Sequence, residues 1–136
     1  MPSFIQSNTQ NGLIVRTPAQ DFTSAEGLLA KATATALTVD LAGVGDLALY
    51  VVTEVACPNG VDPTVQRVTL QPLDGSRNVR AICASAINAG AQVASTTGGK
   101  LHTAVTGDQI IGIAEDAVSS TGGGYCLFRP VNLGTK

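Results

Sequence analysis

Residues 89–129, AGAQVASTTGGKLHTAVTGDQIIGIAEDAVSSTGGGYCLFR, decide the fold class. Ala89-Gly90-Ala91 turns into a short apolar run at Gln92-Val93-Ala94, and Gly98-Gly99 turns into Lys100-Leu101-His102. Thr106-Gly107-Asp108 leads into Ile110-Ile111-Gly112-Ile113-Ala114, and the glycine-rich stretch 119–124 precedes Tyr125-Cys126-Leu127-Phe128-Arg129. Glycine in each gap admits the positive φ that a tight reversal needs. The runs between are rich in the β-branched and aromatic residues that suit a pleated surface. Short strands at roughly even spacing, joined by such turns, predict a β-barrel or sandwich.

The upstream sequence reads the same way. Asp46–Ala56 (DLALYVVTEVA) is the clearest strand, stopped by Cys57-Pro58-Asn59-Gly60. Val65–Leu70 alternates, with Val65, Arg67 and Thr69 on one face and Gln66, Val68 and Leu70 on the other. Asp74-Gly75 has the chemistry of a tight hairpin, which predicts Val79–Ala84 as the partner of 65–70. Leu13–Arg16 is a further short strand, closed by Thr17-Pro18. Thr23-Ser24-Ala25-Glu26 has the form of a helix capping box, yet Gly27 follows at once. Thr33, Thr35, Thr38 and Val39 then favour extended structure, so one helical turn at most is expected. The expected fold is all-β: a small barrel or sandwich-like domain over residues 13–136. Residues 1–12 (MPSFIQSNTQNG) are polar and end in the turn signal Asn11-Gly12, which marks them as an extended N-terminal arm.

Composition narrows the function. The 136 residues fit one domain, and a hydrophobic content of 44% is enough for a core. Aromatics are only 4% and tryptophan is absent, so that core must come from Ala, Val, Leu and Ile. A lone monomer of this size usually holds larger anchors, and oligomerisation is therefore expected. The net charge is −2, and Arg16, Lys31, Arg67, Arg77, Arg80, Lys100, Arg129 and Lys136 are scattered rather than clustered. That distribution argues against nucleic acid as a partner. No stretch approaches a transmembrane helix, and Met1-Pro2-Ser3-Phe4 lacks the basic and apolar regions of a signal peptide. A soluble protein made in a cytoplasm, with no membrane partner, is the expectation.

Few residues invite a chemical reading. His102 is the single histidine, and no nucleophile elbow exists to partner it; a structural or surface role is expected. Glu115-Asp116 reads as a solvated strand end, since general acid/base pairs must face each other across a cleft. Asp40 and Asp46 flank AGVG without the dense oxygen spacing of a cation loop. Gly122-Gly123-Gly124 lacks the Lys-Ser/Thr of a phosphate loop and reads as a hairpin turn. Phe4, Phe22, Tyr50, Tyr125 and Phe128 are the only aromatics available as sugar platforms, and most fall within strand signals. No catalytic residue, cofactor or metal site is expected.

The segment Ile87–Pro130 resembles the head decoration and capsid cement proteins of tailed phages. The shared pattern is Gly90 before a short apolar strand at Val93, then the Gly99-Lys100 turn. A Gly107-Asp108 step into the strand Ile111–Ala114 follows, then a glycine turn and a last apolar strand. LLAKATATALTVDLAG upstream is similar to the Ala/Thr-rich entry of such proteins, more loosely. The resemblance implies a β domain, often a homotrimer, on the outer capsid surface of a virion. It also implies an N-terminal segment that binds the major capsid protein, here Pro2, Ser3, Phe4, Ile5, Gln6, Ser7, Asn8, Thr9 and Gln10. The family brings no catalytic residues. A rival from another class is a virion surface or tail-associated module that recognises a host glycan.

Cys57, Cys83 and Cys126 are odd in number and far apart, with no zinc-like spacing. They read as small buried thiols of a protein assembled in a reducing cytoplasm. Thiol titration in denaturant without reductant should count all three; a count of one would mean a disulfide.

Overall fold

A computed structural model describes residues 13–56, 65–75, 77–119 and 124–136. In its N-terminal half, β1 (Ile14–Pro18), β2 (Leu29–Ala32), β3 (Thr38–Leu41), β4 (Tyr50–Ala56) and β5 (Arg67–Pro72) form a closed barrel in the order β1-β3-β2-β4-β5. The β1–β3 pair is parallel, through Thr17 opposite Thr38, and the other pairs are antiparallel. Ile14 opposite Leu70 brings β5 back to β1, which removes the exposed edge an open sheet would carry. The alternation of 65–70 is realised as read. Gln66, Val68 and Leu70 are buried, while Val65 and Arg67 stay exposed.

In the C-terminal half, β6 (Val79–Ile82), β7 (Gln92–Thr96), β8 (Lys100–Thr103), β9 (Gln109–Ala114) and β10 (Tyr125–Thr135) form a sheet in the order β6-β10-β9-β7-β8. Its outer strands curl towards each other. Cys83 bridges Leu101 in parallel, and Ala84 N donates to Leu101 O at 2.9 Å.

Two local expectations are corrected, and a third holds at its limit. Residues 65–70 and 79–84 do not form a hairpin across Asp74-Gly75. β5 already has β4 on one side and β1 on the other, so β6 pairs with β10 in the second sheet. The chain thus crosses between the halves after Pro72 and before Val79. The strand expected from Asp46 begins only at Tyr50, because the Asp46 carboxylate folds back onto Gly43 N at 2.8 Å and holds a turn. Over 23–26 the limit of one helical turn holds, since none forms. Ser24 adopts φ +63, and the Thr23 hydroxyl donates to Asp21 instead of capping a helix.

The halves share one core. Leu29, Ala42, Ala48 and Val51 of the barrel side pack with Ile87, Val93, Leu101, Ile111 and Phe128 of the sheet. Small side chains force the backbones close. Gly99 has φ +76, and a Cβ there would lie 2.8 Å from Leu29 O. Ser95 adds a polar tie by donating its hydroxyl to Gly43 O at 2.8 Å. The barrel has a second core around Phe22, Val39, Val52 and Leu70. Gln66 is fully buried beside it. It accepts from Phe22 N at 2.9 Å and donates to Asp21 Oδ1 at 2.6 Å, so both ends of its amide are used.

Gly99→Ala should destabilise the protein by about 2–4 kcal/mol, through left-handed strain plus overlap with backbone that cannot yield. Gln66→Ala should cost about 2–3 kcal/mol, since it orphans Phe22 N and leaves a void. The exposed control Val65→Ala should stay within about 0.5 kcal/mol. Urea denaturation measures all three; equal values for Gly99→Ala and Val65→Ala would contradict the seam described here.

Candidate functional site

Where the halves part at the surface, a cleft of about 400 Å³ opens between them. Buried Val51 and Val52 of β4, Val79 of β6 and Gln71 of β5 form its floor. The exposed side chains of Glu26, Arg77, Arg80 and Tyr125 stand around its mouth. Backbone hydrogen bonds fix the back wall. Gly27 N donates to Val52 O at 2.8 Å, and Ile82 N donates to Gly27 O at 2.9 Å, so residue 27 stitches β4 to β6. Gly27 has φ +87, and a Cβ would fall 3.0 Å from Tyr125 Cε1. The tyrosine ring therefore rests against bare backbone, held at the cleft edge while 53% of the residue stays exposed. The neighbouring Arg80 faces Asp116 at 4.0 Å, a loose and exposed pair.

The residues singled out from sequence lie elsewhere. His102 Nε2 is 2.8 Å from the buried carboxylate of Asp108, at an angle too oblique for a good hydrogen bond. Asp108 also accepts from Val105 N at 2.9 Å, and Ala94 is the cross-strand neighbour of His102. This arrangement secures the turn between β8 and β9. Glu115 and Asp116 diverge: Glu115 pairs with Arg129 at 3.0 Å, and Asp116 accepts from Leu127 N at 2.9 Å. Asp40 takes Gln20 Nε2 at 2.5 Å and its neighbour's Leu41 N at 2.8 Å. Asp46 takes Lys31 Nζ at 2.8 Å. Among the described residues, no group of three or more His, Cys, Asp or Glu side chains gathers in metal-binding fashion.

Cys83 and Cys126 are free and fully buried. Desolvation pushes the Cys126 thiol up to about 12, and burial raises Cys83 as well. The arm residues Pro2–Gln10, Cys57, Gly122 and Gly123 lie outside the described residues.

Sequence reasoning missed the cleft because its parts are scattered. Glu26 was absorbed into a capping box, Arg80 into an expected hairpin arm, and Arg77 into the scattered basic residues. Tyr125 read as one more strand aromatic. The crossover after Pro72 and before Val79, once recognised, is the signal that brings these residues to one junction.

No family model matches the chain, and no curated protein matches it in sequence. In three dimensions it is similar to the N base of the head fiber gp8.5 of bacteriophage phi29. The TM-score is 0.64 at 14% sequence identity, over 91% of this chain and 97% of that one. The two chains share a fold along nearly their whole lengths.

The hydrogen bond from Lys31, helped by Gly43 N, holds the Asp46 carboxyl below its ordinary value. A depressed folded pKa contributes stability that is present above the unfolded value near ~3.9 and lost as pH falls through the folded one. Both side chains are about a third exposed, so screening limits the effect to under ~1 kcal/mol. Asp46→Asn should therefore lower stability at pH 7 and flatten its decline below about pH 4. Urea midpoints across that range check this; an unchanged acid limb would contradict it.

Proposed function

We propose that this chain is a structural protein of a tailed-phage virion. It sits on the outer surface of the head as a homotrimer and stabilises the shell by binding the major capsid protein. The observation that carries this reading is the fold shared with a phage head fiber base over almost the whole of both chains. The Gly-turn pattern of Ile87–Pro130 points the same way.

The physics of the molecule suits such a role. A cement protein needs many modest contacts repeated by symmetry. Three weak attachments on one trimer act together through high effective concentration. Binding only the expanded shell would stabilise that state by mass action. Glu115 and Asp116 are engaged in structural bonds, with Arg129 and on Leu127 N, and His102 lies against the Asp108 carboxylate. In this reading the protein carries out no reaction, and Pro2–Gln10 supplies the attachment. An extended segment can add a strand to a sheet edge on the shell, with Phe4 or Ile5 filling a pocket. Burying one such side chain is worth roughly 1.5–3 kcal/mol.

Deleting Met1–Gln10 should leave the melting temperature within a few degrees, because residues 13–136 carry the barrel and sheet contacts. Co-sedimentation with expanded capsids should then fall sharply or vanish, and Phe4→Ala or Ile5→Ala should do part of that damage. Light scattering should give a trimer. Truncated protein that pellets as tightly as full-length chain would overturn the attachment, and a stable micromolar monomer would overturn the trimer.

A further inference from the structure

We infer that the cleft between the two halves is a saccharide site, and that it takes a sugar bearing a carboxylate. This goes beyond attachment to a shell. Four observations meet at the cleft. First, clefts at the junction of two packed units are where small ligands are most often held, and one of about 400 Å³ has room for a short oligosaccharide. Second, the chain is poor in aromatics, and among the described residues Phe22 and Phe128 are buried and Tyr50 is half-buried. Tyr125 is the exposed aromatic among the described residues, and it stands at this cleft.

Third, the ring is pre-organised. Gly27 lets it lie on bare backbone, and residue 27 is itself pinned to β4 and β6. A ring held in place on one side offers its free surface to the apolar face of a sugar without an ordering cost. Val51, Val52 and Val79 supply an apolar floor beside it.

Fourth, the polar groups are available and planar. Among the described residues, the Glu26 carboxylate, the Arg77 guanidinium and the Tyr125 hydroxyl have no hydrogen-bond or ion-pair partner. Gln71 uses its amide nitrogen on Pro72 O and leaves its oxygen for a donor. Planar amide, carboxylate and guanidinium groups match pairs of neighbouring hydroxyls. Two arginines and one glutamate line the cleft, and Arg80 already faces Asp116. Arg77, being unpaired, is the natural fork for a carboxylate.

The test is residue-resolved NMR titration of the intact chain with trigalacturonic acid, maltotriose and sodium acetate as separate probes. Trigalacturonic acid should shift the amides of Gly27, Val52, Arg80 and Tyr125 saturably at millimolar concentration. Maltotriose should bind at least about tenfold more weakly, and acetate should not saturate those amides. Tyr125→Ala and Arg77→Ala should each weaken trigalacturonic acid by about tenfold or more, with spectra as dispersed as wild type. Tyr125→Phe keeps the ring and should stay within about threefold. No saturable shift, or shifts centred elsewhere, would overturn the site. Maltotriose binding as well as the acid would overturn the carboxylate assignment, and acetate reproducing the shifts would overturn the sugar. Unchanged affinity in Arg77→Ala or Tyr125→Ala would do the same for the roles given to them.

Discussion

The close approach of Gly99 to the Leu29 carbonyl is the constraint on which the molecule turns. A chain without tryptophan and with 4% aromatics cannot fill a wide core. Its apolar layers must be thin, and thin layers require backbones that nearly touch. At this seam a residue with a side chain would push the halves apart. Leu29, Ala42 and Ala48 would then lose their packing against Leu101, Ile111 and Phe128. The barrel closes its own edges, but Leu29, Ala42, Ala48 and Val51 are buried against the other half.

The outer features depend on that seam. The cleft exists because two curved bodies packed along one side must diverge at the surface, with Gly27 fixing the angle between β4 and β6. A shared core keeps Tyr125 of β10 and Val52 of β4 at a set distance, as neither half can rotate without opening the seam. The same rigidity would serve the role proposed for the chain, since little ordering entropy is lost on docking.

Much of the fold was legible in the residues. The alternation of 65–70 grouped the polar Gln66 with Val68 and Leu70 on one face, which the structure buries with both ends of the amide satisfied. The glycine-parted runs of 92–129 became β7 to β10 in their expected places. What failed was pairing. Asp74-Gly75 has hairpin chemistry, but local chemistry cannot reveal that β1, from the far end of the chain, already occupies the second edge of β5. The cleft was hidden for the same reason. Glu26, Gln71, Arg77 and Tyr125 become neighbours only through non-local closure, and each has an ordinary local reading. Asp46 was read into a strand because its apolar followers are strong β formers, whereas its carboxylate holds the preceding turn.

A closed barrel and a five-stranded sheet thus form one cooperative body through a core of small residues. Native-state hydrogen exchange under rising denaturant tests it most directly, because it reads opening free energies residue by residue. The account predicts that buried strand amides of β4 and β9, such as Val52 and Ile111, merge into one global opening with the same free energy and denaturant slope. Barrel amides that open at distinctly lower free energy than those of the sheet, with a smaller slope, would contradict it.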